Sequence, residues 1–148
     1  SAAAFGRRVV EKLGDRPLKY GQSHQNDPLG AAVAREVLAV IRDEGLIERG
    51  REIAAELLAG LLEIQTRTKR IRAIRARGLM LAVELVDDAD GAFTTRVHRE
   101  LVHRGFITCR RPGVSVLRID PALTIDRADI EAFLAALEEA LAAGARRP

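Results

Sequence analysis

The chain has one cysteine, Cys109, so no disulfide can form within it, and a reducing compartment suits it. It has no tryptophan, and aromatic residues make up only 3% of it. Surfaces that track single-stranded nucleic acid usually stack bases on aromatic rings, so this scarcity argues against such a groove. Lysine occurs only as Lys12, Lys19 and Lys69, so arginine carries most of the positive charge. The pI is therefore about 9.6, although the formal net charge is only +3. The densest basic run, Arg67, Lys69, Arg70, Arg72, Arg75 and Arg77, has no helix-turn-helix to present it to DNA and reads as a solvated edge. No apolar run approaches the length of a membrane span, and the opening Ser1-Ala2-Ala3-Ala4-Phe5-Gly6-Arg7-Arg8 does not read as a signal peptide. Neither nucleic acid nor membrane is expected as a partner, and cytoplasm is the expected location.

What is present is the composition of a globular chain, 47% hydrophobic and 30% charged. Its 148 residues suit one domain, or the end of a larger one, with a real core. An opening that already reads as helix, with no initiator methionine, suggests a piece of something longer, and removal of a methionine before Ser1 would explain the same start.

Taken in order, Ala2 to Leu13 reads as a helix with Phe5, Val9 and Leu13 on one face, stopped at Gly14. Leu18-Lys19-Tyr20 reads as a short extended piece. A helix from Pro28 places Leu29, Val33, Val37 and Ile41 at four-residue spacing. Alanines on its adjoining faces suggest that it is wedged against a large body, and Gly45 ends it. A second amphipathic helix, Ile47 to about Ile64, carries Ile53, Leu57, Leu58, Leu61 and Ile64 as its stripe. The junction is a natural boundary, giving an expected division at 1–44 and 45–148.

Beyond it, Ile71 to Ala76 and Leu79 to Val86 read as strands around an Arg77-Gly78 break. Leu79-Met80-Leu81-Ala82-Val83 has no polar face, which suggests cover on both sides. Asp87-Asp88-Ala89-Asp90-Gly91 lacks the spacing of a calcium loop and reads as a solvated acidic turn. A helix from Thr94 to Arg104, strands Phe106 to Cys109 and Val114 to Ile119, and a last helix follow. That last helix can be capped by Asp126, with Ile125 stapled on Ile130. Ile130, Phe133, Leu134, Leu137 and Leu141 form its stripe, and Gly144 follows. Strand, strand, helix, strand, strand, helix is the order of an α/β or α+β fold, a small sheet with covering helices.

Two places carry chemistry. Gly21-Gln22-Ser23-His24-Gln25-Asn26-Asp27-Pro28-Leu29-Gly30 gathers hydroxyl, imidazole and amide groups immediately before a helix. Asn26 or Asp27 can cap that helix, and Pro28 suits its first turn. The positive end of the helix would welcome a phosphate; the plainer reading is a polar turn that only caps. The second place is Arg118 in Val114-Ser115-Val116-Leu117-Arg118-Ile119-Asp120-Pro121. By alternation it shares a face with Val116 and Val114, where a charge is costly unless paired. Its fork suits a carboxylate, either a ligand's or that of Asp120 or Glu84 within the fold.

Other reactive groups offer less. His98 and His103 are five residues apart, on different faces of one helix, which argues against a shared metal. Cys109 reads as a small core residue. No nucleophilic triad motif and no nucleotide-type phosphate loop is present.

The loop resembles the late signature of class III, fold type I aminotransferases, which use pyridoxal phosphate; that family reads Gly-His-Thr, a short variable stretch, then Asn-Pro-Leu and an alanine-rich helix. Here Gln22 stands for the histidine, Ser23 for the threonine and Asp27 for the asparagine. The segment Leu117-Arg118-Ile119-Asp120-Pro121-Ala122-Leu123-Thr124 resembles the family's second signature, whose arginine grips the substrate carboxylate. The resemblance implies that residues 1–44 are the tail of the large cofactor domain and 45–148 the small C-terminal domain, in enzymes like acetylornithine and 4-aminobutyrate aminotransferases. It implies Ser23, with His24 beside it, at the cofactor phosphate of a neighbouring subunit in a homodimer, and Arg118 at the substrate. It implies amino-group transfer between an amino acid or amine and a keto acid or aldehyde. The Schiff-base lysine belongs upstream of Gly21, and none of the three lysines matches its context, so this chain is expected to be inactive alone, with no catalytic residue of its own. A non-catalytic oligomerisation or binding module keeping the same fold is the alternative.

Overall fold

In the computed structural model, the residues described are 5–16, 21, 23, 27–87 and 91–143. The chain divides into two compact units, 1–44 and 45–148. The expected extended piece at 18–20 and the stop at Gly144 lie outside the described residues, as do His24, Gln25, Asn26 and residues 88–90.

The first unit holds helices α1 (Arg7–Leu13) and α2 (Pro28–Asp43). α1 is shorter than the sequence suggested, because Gly6 stands at its N-cap and leaves Phe5 outside and exposed. Asp27 caps α2 by accepting a hydrogen bond from Leu29 N at 3.0 Å, and Pro28 takes the first position, where no N–H is needed. No residue of α2 is buried. Its stripe is apolar as expected, and Leu29, Val33 and Val37 are 72%, 56% and 51% exposed.

The second unit is a two-layer α/β fold. Helix α3 (Leu46–Thr68) leads into hairpin β1 (Ile71–Arg77) and β2 (Met80–Leu85), then α4 (Ala92–His103), the two-residue strand β3 (Cys109–Arg110), β4 (Val116–Ile119) and α5 (Arg127–Ala143). The sheet runs β1-β2-β4-β3, with every neighbouring pair antiparallel. The hairpin turns on Gly78 and Leu79 between the paired residues Arg77 and Met80. Gly78 has φ +57°, the first-position geometry that side chains resist and two-residue hairpins require.

One face of the sheet meets the helices. Ile53, Leu57, Leu61 and Ile64 of α3, Leu81, Val83 and Leu85 of β2, Val97 and Leu101 of α4, Leu117 and Ile119 of β4, and the α5 stripe form one core. α3 meets α5 closely at Gly60, where a Cβ would lie 2.4 Å from Leu134 Cδ1. The other sheet face is open: β2 alternates, with Met80 exposed and Ala82 and Glu84 half-buried. The expectation of cover on both sides of β2 is therefore corrected. Its near-continuous apolar run reflects the small Ala82 and the exposed Met80, not a second layer.

Helix α4 begins at Gly91, which has no side chain to cap with. Asp87 supplies the cap from outside, its two carboxylate oxygens accepting from Phe93 N at 3.0 Å and Thr94 N at 2.7 Å. At Asp87 the solvated-turn reading is thus replaced by a structural role. Asp87→Ala should cost about 1–2 kcal/mol, the value of a good cap, and chemical denaturation of the variant checks it. Asp126, the expected cap of α5, turns its carboxylate to Arg49 Nη2 at 3.0 Å.

α3 and α5 are also linked by a two-point contact, Arg67 Nε and Nη2 donating to Glu138 Oε1 and Oε2 at 2.7 and 2.9 Å. That hydrogen bonding, more than the charge itself, holds the Glu138 carboxyl below its ordinary 4.5. A carboxyl depressed in the folded state adds stability above its unfolded value and loses it as pH falls through the folded one. Unfolding free energy followed between pH 6 and 3 should therefore fall less steeply in Glu138→Gln than in the parent.

Candidate functional site

The open sheet face is where chemistry can occur, and strand register builds it. Arg75 pairs with Ala82, Ala82 with Arg118, and Arg118 with Cys109, so these four form one row across all four strands. Partners across an antiparallel ladder point to the same side. The next row brings Ala73, Glu84 and Val116 together.

Arg118 lies on this open face, its side chain 63% exposed, so the expected charge on an oily, buried face is corrected. The alternation that groups it with Val116 is right; that face is the solvent side. Its acid within the fold is Asp120, with Nε 2.6 Å from Oδ2. Glu84 is engaged elsewhere, by Arg75 at 3.0 Å and Arg72 at 3.3 Å. The hydrogen bond from Arg75 leads in holding the Glu84 carboxyl below its usual range. An exposed ion pair such as Arg118–Asp120 contributes at most about 1 kcal/mol.

Cys109 is exposed in the row beside Arg118, not a core residue, because β3 is an edge strand and its first residue faces outward. Arg75 is the residue that sequence reasoning passed over, counted with the solvated edge. The Gly78 turn carried the missing signal, since a two-residue hairpin fixes the register that places Arg75 in this row.

Ser23 sits at a turn and is exposed; His24 beside it lies outside the described residues. The Asp27 carboxylate stands at the N-terminus of α2, where it already balances the helix's positive end. A phosphate aimed along that helix would meet this negative charge, so any anion here must be held by the loop's own donors. His98 and His103, despite their spacing, line one cleft with Arg99 and Arg110, and His98 Nε2 contacts Thr108 O at 2.9 Å. Among the described residues no group of three or more His, Cys, Asp or Glu is placed to hold a metal. Nor is any described helix long and apolar enough to cross a membrane.

Compared with known proteins, residues 1–141 match the model of the family described as aminotransferase class-III. The chain belongs to that family. This class III aminotransferase chain is 32% identical over 123 residues to ornithine aminotransferase 1 of Staphylococcus aureus, covering 83% of this chain and 29% of that one. It is 37% identical over 128 residues to the ornithine aminotransferase of Bordetella pertussis, covering 86% and 29%. Among solved structures, the lysine aminotransferase from M. tuberculosis in the internal aldimine form superposes with a TM-score of 0.67 at 34% identity, covering 74% of this chain and 25% of that one. The class III chain thus spans about 29% of the length of the curated relatives it matches.

Proposed function

We propose that this chain is the C-terminal part of a pyridoxal-phosphate-dependent aminotransferase, where it supplies a cofactor-phosphate contact and a substrate-carboxylate clamp. Family membership over residues 1–141 is the observation that carries the reading. Residues 1–44 belong to the tail of the large domain and 45–148 are the small domain. The substrates are an amino acid or amine and a keto acid or aldehyde. The enzyme is a cytoplasmic homodimer in which the Ser23 loop faces the neighbouring subunit's cofactor. The exposure of Ser23 leaves its hydroxyl available for such a contact.

The residues present fit one edge of a cofactor site and no more. Ser23 offers a hydroxyl and His24 a ring nitrogen to a phosphate, whereas Asp27 repels one from the helix axis. Lys69 is the left-handed C-cap of α3, with its backbone N–H donating to Gln65 O, and Lys12 lies on α1. Neither sits in a sequence context that resembles that of the family's Schiff-base lysine. When bound, the cofactor serves as electron sink for the amino-group transfer. What this chain adds is binding and orientation: Ser23 and His24 hold the phosphate end, and Arg118 holds the substrate carboxylate by a two-pronged contact.

The purified 148-residue chain should show no transamination, and measurable turnover by it would refute the division of labour. In the complete enzyme, Ser23→Ala should weaken pyridoxal-phosphate affinity roughly tenfold, the worth of one hydrogen bond to a charged group, as read by absorbance titration of the apoenzyme. Unchanged affinity would remove Ser23 from the cofactor contact. A second reading, a non-catalytic module with this fold, draws on the well-formed core of residues 45–148 and predicts no activity even in the assembled protein.

A further inference from the structure

Beyond the clamp itself, and resting on the reading of Arg118 given under Proposed function, we propose that Asp120 is its positioning residue. It holds the guanidinium at Nε so that the Nη1–Nη2 edge receives the substrate carboxylate. Arg118 needs such a partner because its neighbours do not fix it. The residues flanking it across the sheet are Ala82 and Cys109, one on each side, and both are too small to wall a long side chain into one rotamer. The other acid on this face, Glu84, already accepts from Arg72 and Arg75. Among the described residues, Asp120 is the acid that pairs with Arg118.

The geometry of Asp120 suits the task. It follows β4 directly, two residues beyond Arg118, so both side chains leave the strand on the same side. Pro121 comes next, and a following proline confines the Asp120 backbone to extended conformations. Its side chain is 30% exposed against 63% for Arg118, so the acid is the less exposed member and the arginine head the one that reaches outward. The contact is made at Nε, 2.6 Å from Oδ2. A guanidinium engaged there keeps its two terminal nitrogens for a parallel pair of bonds to a second carboxylate. The rival arrangement is that Asp120 simply occupies the clamp and competes with substrate; the two predict opposite signs.

The test uses the complete enzyme carrying this chain, with steady-state kinetics against an amino-acid donor and inhibition by propionate as a bare carboxylate probe. Asp120→Asn should raise KM and the propionate inhibition constant about three- to fivefold, the value of an exposed ion pair, with kcat within about twofold. Asp120→Glu should restore most of the loss. In an Arg118→Ala background, Asp120→Asn should change nothing further. A KM that is unchanged or lower in Asp120→Asn, a fall in kcat alone, or an equal loss in the Arg118→Ala background would each overturn the proposal while leaving the clamp standing. If Arg118→Ala itself leaves KM and propionate inhibition unchanged, the clamp fails and the role of Asp120 fails with it. Thermal melting of each variant, expected within about 2 °C of the parent, separates positioning from a loss of fold.

Discussion

Leu137→Ala should remove about 2–5 kcal/mol from the stability of residues 45–148. Leu137 is fully buried in the middle of α5, the helix that packs against both α3 and α4. Removing its branched end takes apolar atoms out of a close-packed interior and leaves a cavity that the surrounding helices cannot fully close. A domain of this size has a total stability of about 5–15 kcal/mol, so the variant should unfold at much lower denaturant and could lose its cooperative transition. Urea unfolding checks this, with Leu62→Ala as control. Leu62 lies on the same kind of helix but is half-exposed, so its truncation should cost well under about 1 kcal/mol. Equal losses at the two positions would mean that the core is not where the structure places it.

If Arg118 is the clamp proposed above, Arg118→Ala in the complete enzyme should lower kcat/KM for amino-acid substrates on the order of 100-fold, the scale for losing one partner of a bidentate charge pair. The loss should appear mainly in KM, because a contact made equally before and during reaction contributes uniform binding. Arg118→Lys should recover only part of it, since an ammonium keeps the charge but not the planar fork. Retention of full activity by Arg118→Ala would return Arg118 to a surface ion pair with Asp120 and nothing more.

How much of this was legible beforehand can be traced residue by residue. The helices and the hairpin of residues 45–148 followed from periodicity, with Ile53, Leu57, Leu61 and Ile64 of α3 and Ile130, Phe133, Leu137 and Leu141 of α5 buried. The strand expected at Phe106 to Cys109, by contrast, is found only as the two residues Cys109–Arg110. The two faces of the sheet did not follow, because β2 carries the small Ala82 and the exposed Met80 where polar residues normally announce solvent. Arg118 was mistaken for a buried charge for the same reason, its face being marked only by valines in sequence. Asp87 was read as an idle acid because its partners, Phe93 N and Thr94 N, are backbone groups of a helix whose own first residue is a glycine cap away. Backbone donors leave no trace in side-chain patterns. Ser23 and Arg118 were singled out by their neighbours in sequence, and strand register then added Arg75 to the row.

The bare apolar edge of α2 also bears on how a cell must handle this polypeptide. Leu29, Val33 and Val37 show solvent a greasy ridge. Such a ridge is what chaperones bind and quality-control proteases sample, so this chain by itself should be short-lived in a cell or form clumps. A stripe that gives the folded chain nothing would then still decide how long it lasts.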